Sequence, residues 1–95
     1  MTRKPVRYCD HLEDRLVLRR IERDLPERII READRHFTDS TTGYQIAVAT
    51  VVYRGAEHLM MVAFEETEGE IVAVTLHPLD ERDVARKIRN GRWIP

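Results

Sequence analysis

Residues 44 to 78 constrain the fold more than any other part of the chain. Three runs, YQIAVATVVYRG, EHLMMVAFEETEG and EIVAVTLHP, are rich in β-branched and aromatic residues and are separated by turns that contain Gly55 and Gly69. Branched side chains pack well on a pleated surface, so these runs read as strands, and turns this short make sequential strands antiparallel neighbours in a meander. The first two runs are apolar at successive positions, so both of their faces need cover, from this chain or from a partner. In the third, period two places Val72, Val74 and Leu76 on one face and Ile71, Ala73, Thr75 and His77 on the other. One end of that second face is polar.

The segments on either side have helical spacing. A first helix is expected over 10–22, with Asp10 as N-cap and Glu13 three residues on, close to a capping box. At about 100° per residue, Val17, Leu18 and Ile21 form one apolar stripe and Leu12 and Leu16 a second. His11, Arg15, Arg19 and Glu22 share the edge between them. Asp24 and Pro26 mark a restart, and a second helix is expected over 25–36, its apolar side made by Leu25, Ile29, Ile30, Ala33 and Phe37. Residues 38–43, TDSTTG, read as a loop. After Pro78, Asp80 and Asp83 open a last helix over 81–89 whose Val84, Ala85 and Ile88 can pack on the sheet, and Asn90 and Gly91 supply its left-handed end. Trp93 and Ile94 are expected to fold back onto the body. The fold class is therefore α+β: two N-terminal helices packed on an antiparallel sheet of three to four strands, with a C-terminal helix, in a single domain over residues 1–95.

Composition narrows the function. A chain of 95 residues with 35% charged side chains and no long apolar run suits a globular protein that makes no membrane span, and its N-terminus has no apolar stretch of the signal-peptide kind. A cytoplasmic location is the default expectation. The lone Cys9 has no internal disulfide partner and reads as a small half-buried hydrophobe. A formal net charge of −1 gives no bulk attraction to nucleic acid, so such binding has to come from local patches. Arginine, at 14 residues against 2 lysines, is well suited to forming them.

No phosphate loop, paired Cys-x-x-Cys, His-Glu-x-x-His or nucleophile elbow occurs. Cys9 and His11 with His36, His58 or His77 are too scattered to support a metal site, and neither metal nor cofactor is expected. RNA cleavage needs a base near neutral pH and cations for the scissile phosphate. His11, Arg15 and Arg19 at i, i+4 and i+8 offer both on one helix edge, and His77 and Thr75 offer a second acid or hydrogen-bond donor. The same residues also fit a solvated helix whose arginines pair with Glu13, Asp14, Glu22 and Glu27, with Thr75 an ordinary strand residue. His36 and His58 read as surface residues.

The order of His11, Arg15 and Leu16, then Arg19 or Arg23, a helix, a D-x-x-x-G loop at Asp39 to Gly43 and the strand IVAVTLHP resembles the family called domain of unknown function 4258, over about residues 7–79. The resemblance implies a domain similar to the RelE-like toxins and small ribonucleases, often encoded beside an antitoxin. It makes His11, Arg15 and Thr75 the counterparts of the family's positions and leaves its third basic position to Arg19-Arg20-Ile21 or Arg23-Asp24-Leu25. The expectation is a metal-independent endoribonuclease of a toxin–antitoxin system. His11, Arg15, Thr75 and His77 would be catalytic, Arg19, Arg23, Arg86 and Arg89 would bind RNA phosphate, and RNA and a cognate antitoxin would be the partners. The alternative is a non-catalytic interaction module that pairs with a second copy or an antitoxin, using strand 57–66 with Leu59, Met60, Met61, Val62 and Phe64.

Overall fold

The computed structural model describes residues 3–95. Its elements run β1 (Val6–Tyr8), α1 (Asp10–Arg19), α2 (Leu25–Glu32), β2 (Arg35–Asp39), β3 (Gln45–Tyr53), β4 (Ala56–Glu66), β5 (Ile71–Pro78), α3 (Glu81–Arg89) and β6 (Trp93–Ile94). The strands form one six-stranded sheet in the order β1-β5-β4-β3-β2-β6. Neighbours are antiparallel except β1 and β5, which run parallel with Val6 opposite Ile71. The α+β class and the β3–β4–β5 meander are as expected. The sheet is larger than three to four strands and is mixed, because β1, β2 and β6 join it.

Two of the added strands are too short to carry a period of their own. β1 and β6 span 3 and 2 residues and exist through the neighbours they pair with. The third, β2, overturns the expected end of the second helix. Ala33 turns extended, with φ −63° and ψ 136°, and α2 stops at Glu32. Residues 35–39 then pair with β3, Arg35 opposite Val48 and Phe37 opposite Ile46. Leu25, Ile29 and Ile30 do form the buried side of α2, whereas Phe37 belongs to the core on the other side of the sheet. Its helical spacing from Ile30 and Ala33 is coincidental.

The first helix is also shorter than expected. It ends at Arg19 because Arg20 adopts the left-handed conformation, φ 55°, with its N–H turned back to the carbonyls of Leu16 and Val17. Asp10 is the first helical residue and not the cap: Cys9 holds that position and makes no side-chain cap bond. One of the two expected stripes packs in full, and of the other only Ile21 packs against the core. Leu12 and Leu16 are 1% and 4% exposed, while Val17 and Leu18 are 79% and 81% exposed. Asp24 stands at the N-cap of α2 without a side-chain capping bond, its carboxylate pairing with Arg28 instead. In α3 the cap is as expected, since Asp80 accepts from the Asp83 amide and Asp83 from the Asp80 amide. The side of α3 that packs is narrower than Val84, Ala85 and Ile88; Val84 is buried, while Ala85 and Ile88 are exposed.

The central part of the sheet has both faces covered by this chain. Helices α1 and α2 cover one face, where Met60, Val62, Phe64, Ala47, Ile71, Ala73 and Leu76 meet Leu12, Leu16, Leu25, Ile29 and Ile30. On the other face Phe37, Ile46, Val48, Met61 and Ala63 meet Val84 of α3 and Trp93 of β6. Trp93 is 2% exposed and stacks on Phe37, with ring centroids 5.4 Å apart. All of Met60 to Phe64 is buried, so this part of β4 fills the interior and does not form a contact surface. Burying a side chain of this size contributes about 1.5–3 kcal/mol, which fixes the register of the central strand.

A β-bulge in β5 decides where the polar residues of that strand go. Ala63 pairs with Thr75 and Phe64 with Ala73, leaving Val74 as the extra residue. Strict alternation is broken there. Leu76 joins Ile71 and Ala73 on the α1/α2 side, in place of the expected grouping with Val72 and Val74. Thr75 and His77, expected beside Ile71 and Ala73, pair with Ala63 and Met61 and so share the α3 side.

Candidate functional site

On the α3 side the sheet and the helix leave a groove of about 410 Å³, a size that falls in the range of small-molecule clefts. Ile46, Met61, Ala63 and Trp93 give it an apolar floor. β5 contributes Thr75, His77 and Pro78, α3 contributes Asp83, Arg86 and Lys87, and the β2–β3 turn contributes Asp39, Thr42 and Tyr44, with Arg92 beside them. Three cations and a histidine thus surround an apolar floor in a chain whose overall charge is slightly negative.

The charges in this groove are not equivalent. Arg86 Nη2 donates to Asp83 Oδ1 at 2.7 Å, and Arg92 Nε donates to Asp39 Oδ1 at 2.8 Å. Lys87 instead stands over the Trp93 ring, 5.7 Å from its centroid. A cation over an aromatic face is attracted without being neutralised, so its charge stays available to an anion. His77 is exposed, and its Nδ1 lies 3.0 Å from the Pro78 carbonyl oxygen. A carbonyl only accepts, so this contact suits the tautomer that carries its hydrogen on Nδ1, which leaves Nε2 as the acceptor.

Asp39 is the one buried charged residue among the described residues, its side chain 7% exposed. The β2–β3 turn is built around it: the Thr41 and Thr42 amides donate to Oδ1 at 2.9 and 3.0 Å, and Gly43, at φ 80°, lets the chain reverse. Burial alone would raise the Asp39 carboxyl. The bonds from Arg92 and from the Thr42 and Thr41 amides outweigh that and hold it at about 2, below the ordinary 3.8.

The residues expected at a site fall into separate places. Thr75, His77 and Arg86 line the groove. His11 and Arg15 do not; they sit on α1, which packs on the opposite face of the sheet. There Arg15 Nε donates to His11 Nε2 at 3.1 Å, so the lone pair a base would use is already engaged. Arg19 is exposed at the end of α1 and gives its carbonyl to Arg54. Arg23 pairs with Glu13 at 2.6 Å and lies over the Tyr8 ring. Arg89 is exposed in the last turn of α3, outside the groove. Lys87, Arg92, Tyr44 and Trp93 were not expected at a site. Asp39 had a sequence signal in the D-x-x-x-G loop, whereas Lys87 and Arg92 had none.

A second cleft, between β1, α1 and α2, is lined by Arg7, Tyr8, Glu13, Arg23 and Glu27. Its groups satisfy one another: the Tyr8 hydroxyl donates to the Arg23 carbonyl at 2.7 Å and accepts from the Glu27 amide at 3.2 Å. Burial pushes that phenol up from its ordinary value. No described helix is long and apolar enough to cross a membrane. No protein-family model, curated protein or solved structure matches the chain.

Proposed function

We propose that the protein is a metal-independent endoribonuclease of the RelE-like toxin type, and that cleavage takes place in the groove between the sheet and α3. The observation that carries this reading is the convergence of Thr75, His77, Arg86, Lys87 and Arg92 on one apolar-floored groove. His77 Nε2 takes the proton of a ribose 2′-hydroxyl, and the 2′-oxygen attacks the adjacent phosphorus. An O2′–P bond forms, the P–O5′ bond breaks, and the 5′-oxygen takes up a proton from the imidazolium or from solvent. Lys87 and the free N–H groups of Arg86 and Arg92 hold the phosphate oxygens and offset the charge that builds on them, with Thr75 Oγ1 as a further donor. His77, whose Nε2 has no partner among the described residues, replaces His11 as the base, and Lys87 and Arg92 replace Arg19, Arg23 and Arg89 as phosphate ligands.

The test is cleavage of a mixed-sequence single-stranded RNA by purified protein. The expected products carry 2′,3′-cyclic phosphate and 5′-hydroxyl ends. Cleavage should disappear with His77→Gln or with a 2′-deoxy substrate and persist with His11→Gln. Intact RNA, or a His77→Gln variant as active as the parent, would overturn the reading.

A second reading, an interaction module that pairs with a second copy, is favoured by Val17 and Leu18, adjacent and exposed on α1. Sedimentation of the parent and of Leu18→Glu tests it. A dimer that becomes a monomer in the variant supports this reading, and a monomeric parent removes it.

A further inference from the structure

The groove wall carries one feature that cleavage does not use. Asp39 Oδ1 accepts three N–H groups, from Thr41, Thr42 and Arg92, at 2.9, 3.0 and 2.8 Å. Oδ2 accepts none among the described residues. It is not a sealed atom, since among the described residues no fully buried side-chain oxygen lacks a partner, and Asp39 is one of the residues that line the groove. The three bonds to Oδ1, two from turn amides and one from Arg92, hold the carboxylate in place and leave Oδ2 as its unpartnered oxygen among the described residues. An ionised oxygen that has lost most of its water without gaining a donor is costly to the folded chain, and a ligand N–H would remove that cost.

We infer that Oδ2 of Asp39 selects a nucleotide whose base bears an exocyclic amine, while Lys87 takes the phosphate of the same molecule. This inference rests on the nucleotide reading of the groove given above. An anionic acceptor attracts an amine and repels a carbonyl lone pair. Lys87, the groove cation that has no carboxylate partner among the described residues, attracts phosphate. The groove therefore presents an acceptor and a cation among its lining residues, which matches adenine, cytosine or guanine nucleotides and leaves analogues that carry hydrogen in place of the amine without that donor. Asp39 acts here as a specificity-determining residue and takes no part in proton transfer.

Three matched pairs test this by calorimetric titration of the full chain: adenosine against purine riboside, guanosine against inosine, and cytidine against 2-pyrimidinone riboside, all as 5′-monophosphates. Each pair differs only in the exocyclic amine. In at least one pair the amino-bearing member should bind about tenfold more tightly, the value expected of one hydrogen bond to a charged group. Equal affinities in all three pairs, or no binding by any of the six, would overturn the inference. In Asp39→Asn, checked for folding by its thermal transition, the amide replaces the free oxygen with a donor, and the preference should vanish while binding of inorganic phosphate persists. An undiminished preference in that variant would also overturn it. RNA cleavage is measured on the same samples. Cleavage without amine preference removes the role of Asp39 alone, whereas preference without cleavage removes the ribonuclease reading and leaves the binding site standing.

Discussion

Arg92 Nε donates to Asp39 Oδ1 at 2.8 Å, and this bond ties the segment leading into β6 to the turn between β2 and β3. The Ser40 amide donates to the Arg92 carbonyl at 2.8 Å, and Ser40 Oγ donates to the Gly91 carbonyl at 2.9 Å. A two-residue strand is thus anchored by a charged pair and two neutral bonds, and with it Trp93 is held in the floor of the groove.

Removing the cation of this pair leaves a buried carboxylate with less compensation. Arg92→Ala should lower the unfolding free energy by about 1–2 kcal/mol, near the low end for charged hydrogen bonds because the arginine is partly in water. Urea unfolding should show the midpoint falling with an unchanged slope.

The same carboxylate makes stability depend on acid. Asp39 titrates at 3.8 when ordinary and at about 2 when folded, so the unfolded chain binds its proton first as pH falls. Its contribution, about 2 kcal/mol, is fully present above pH 4 and is lost as pH drops toward 2. Unfolding midpoints measured across pH 2–5 should fall in that window, and Asp39→Asn should remove this component of the fall.

The two expected stripes of α1 differ in cost. Leu12→Ala should destabilise by about 2–5 kcal/mol, because the leucine is 1% exposed in the core and its loss leaves a cavity. Leu18→Ala should change stability by less than about 0.5 kcal/mol, because Leu18 is 81% exposed. Thermal unfolding of both variants gives the comparison.

Gly91 adopts φ 79°, and a Cβ placed there would meet nothing within 4 Å. Gly91→Ala therefore introduces backbone strain and no clash, and should cost about 1–2 kcal/mol. Loosening of β6 should appear as faster hydrogen exchange at the Ser40 amide, which the Arg92 carbonyl protects.

The amino-acid sequence by itself determined the β3–β4–β5 meander, the Leu12–Leu16 stripe of α1, the Leu25, Ile29 and Ile30 side of α2, the Asp80–Asp83 cap and the burial of Trp93. Each of these follows from local chemistry: a hydrophobic period, a turn glycine, or a side chain that bonds an amide three residues away. The tertiary structure alone decided the extent of the sheet and the membership of the groove. β1, β2 and β6 are strands because they find partners far away in sequence, and for residues 33–37 that pairing prevailed over helical spacing. Thr75 and His77 reach the α3 side because one extra residue in β5, opposite β4, shifts the alternation. Lys87 and Arg92 enter the groove because α3 and β6 close over that face. His11 and Arg15 are neighbours because i, i+4 spacing is local, but the sheet separates their helix from the face that carries the groove.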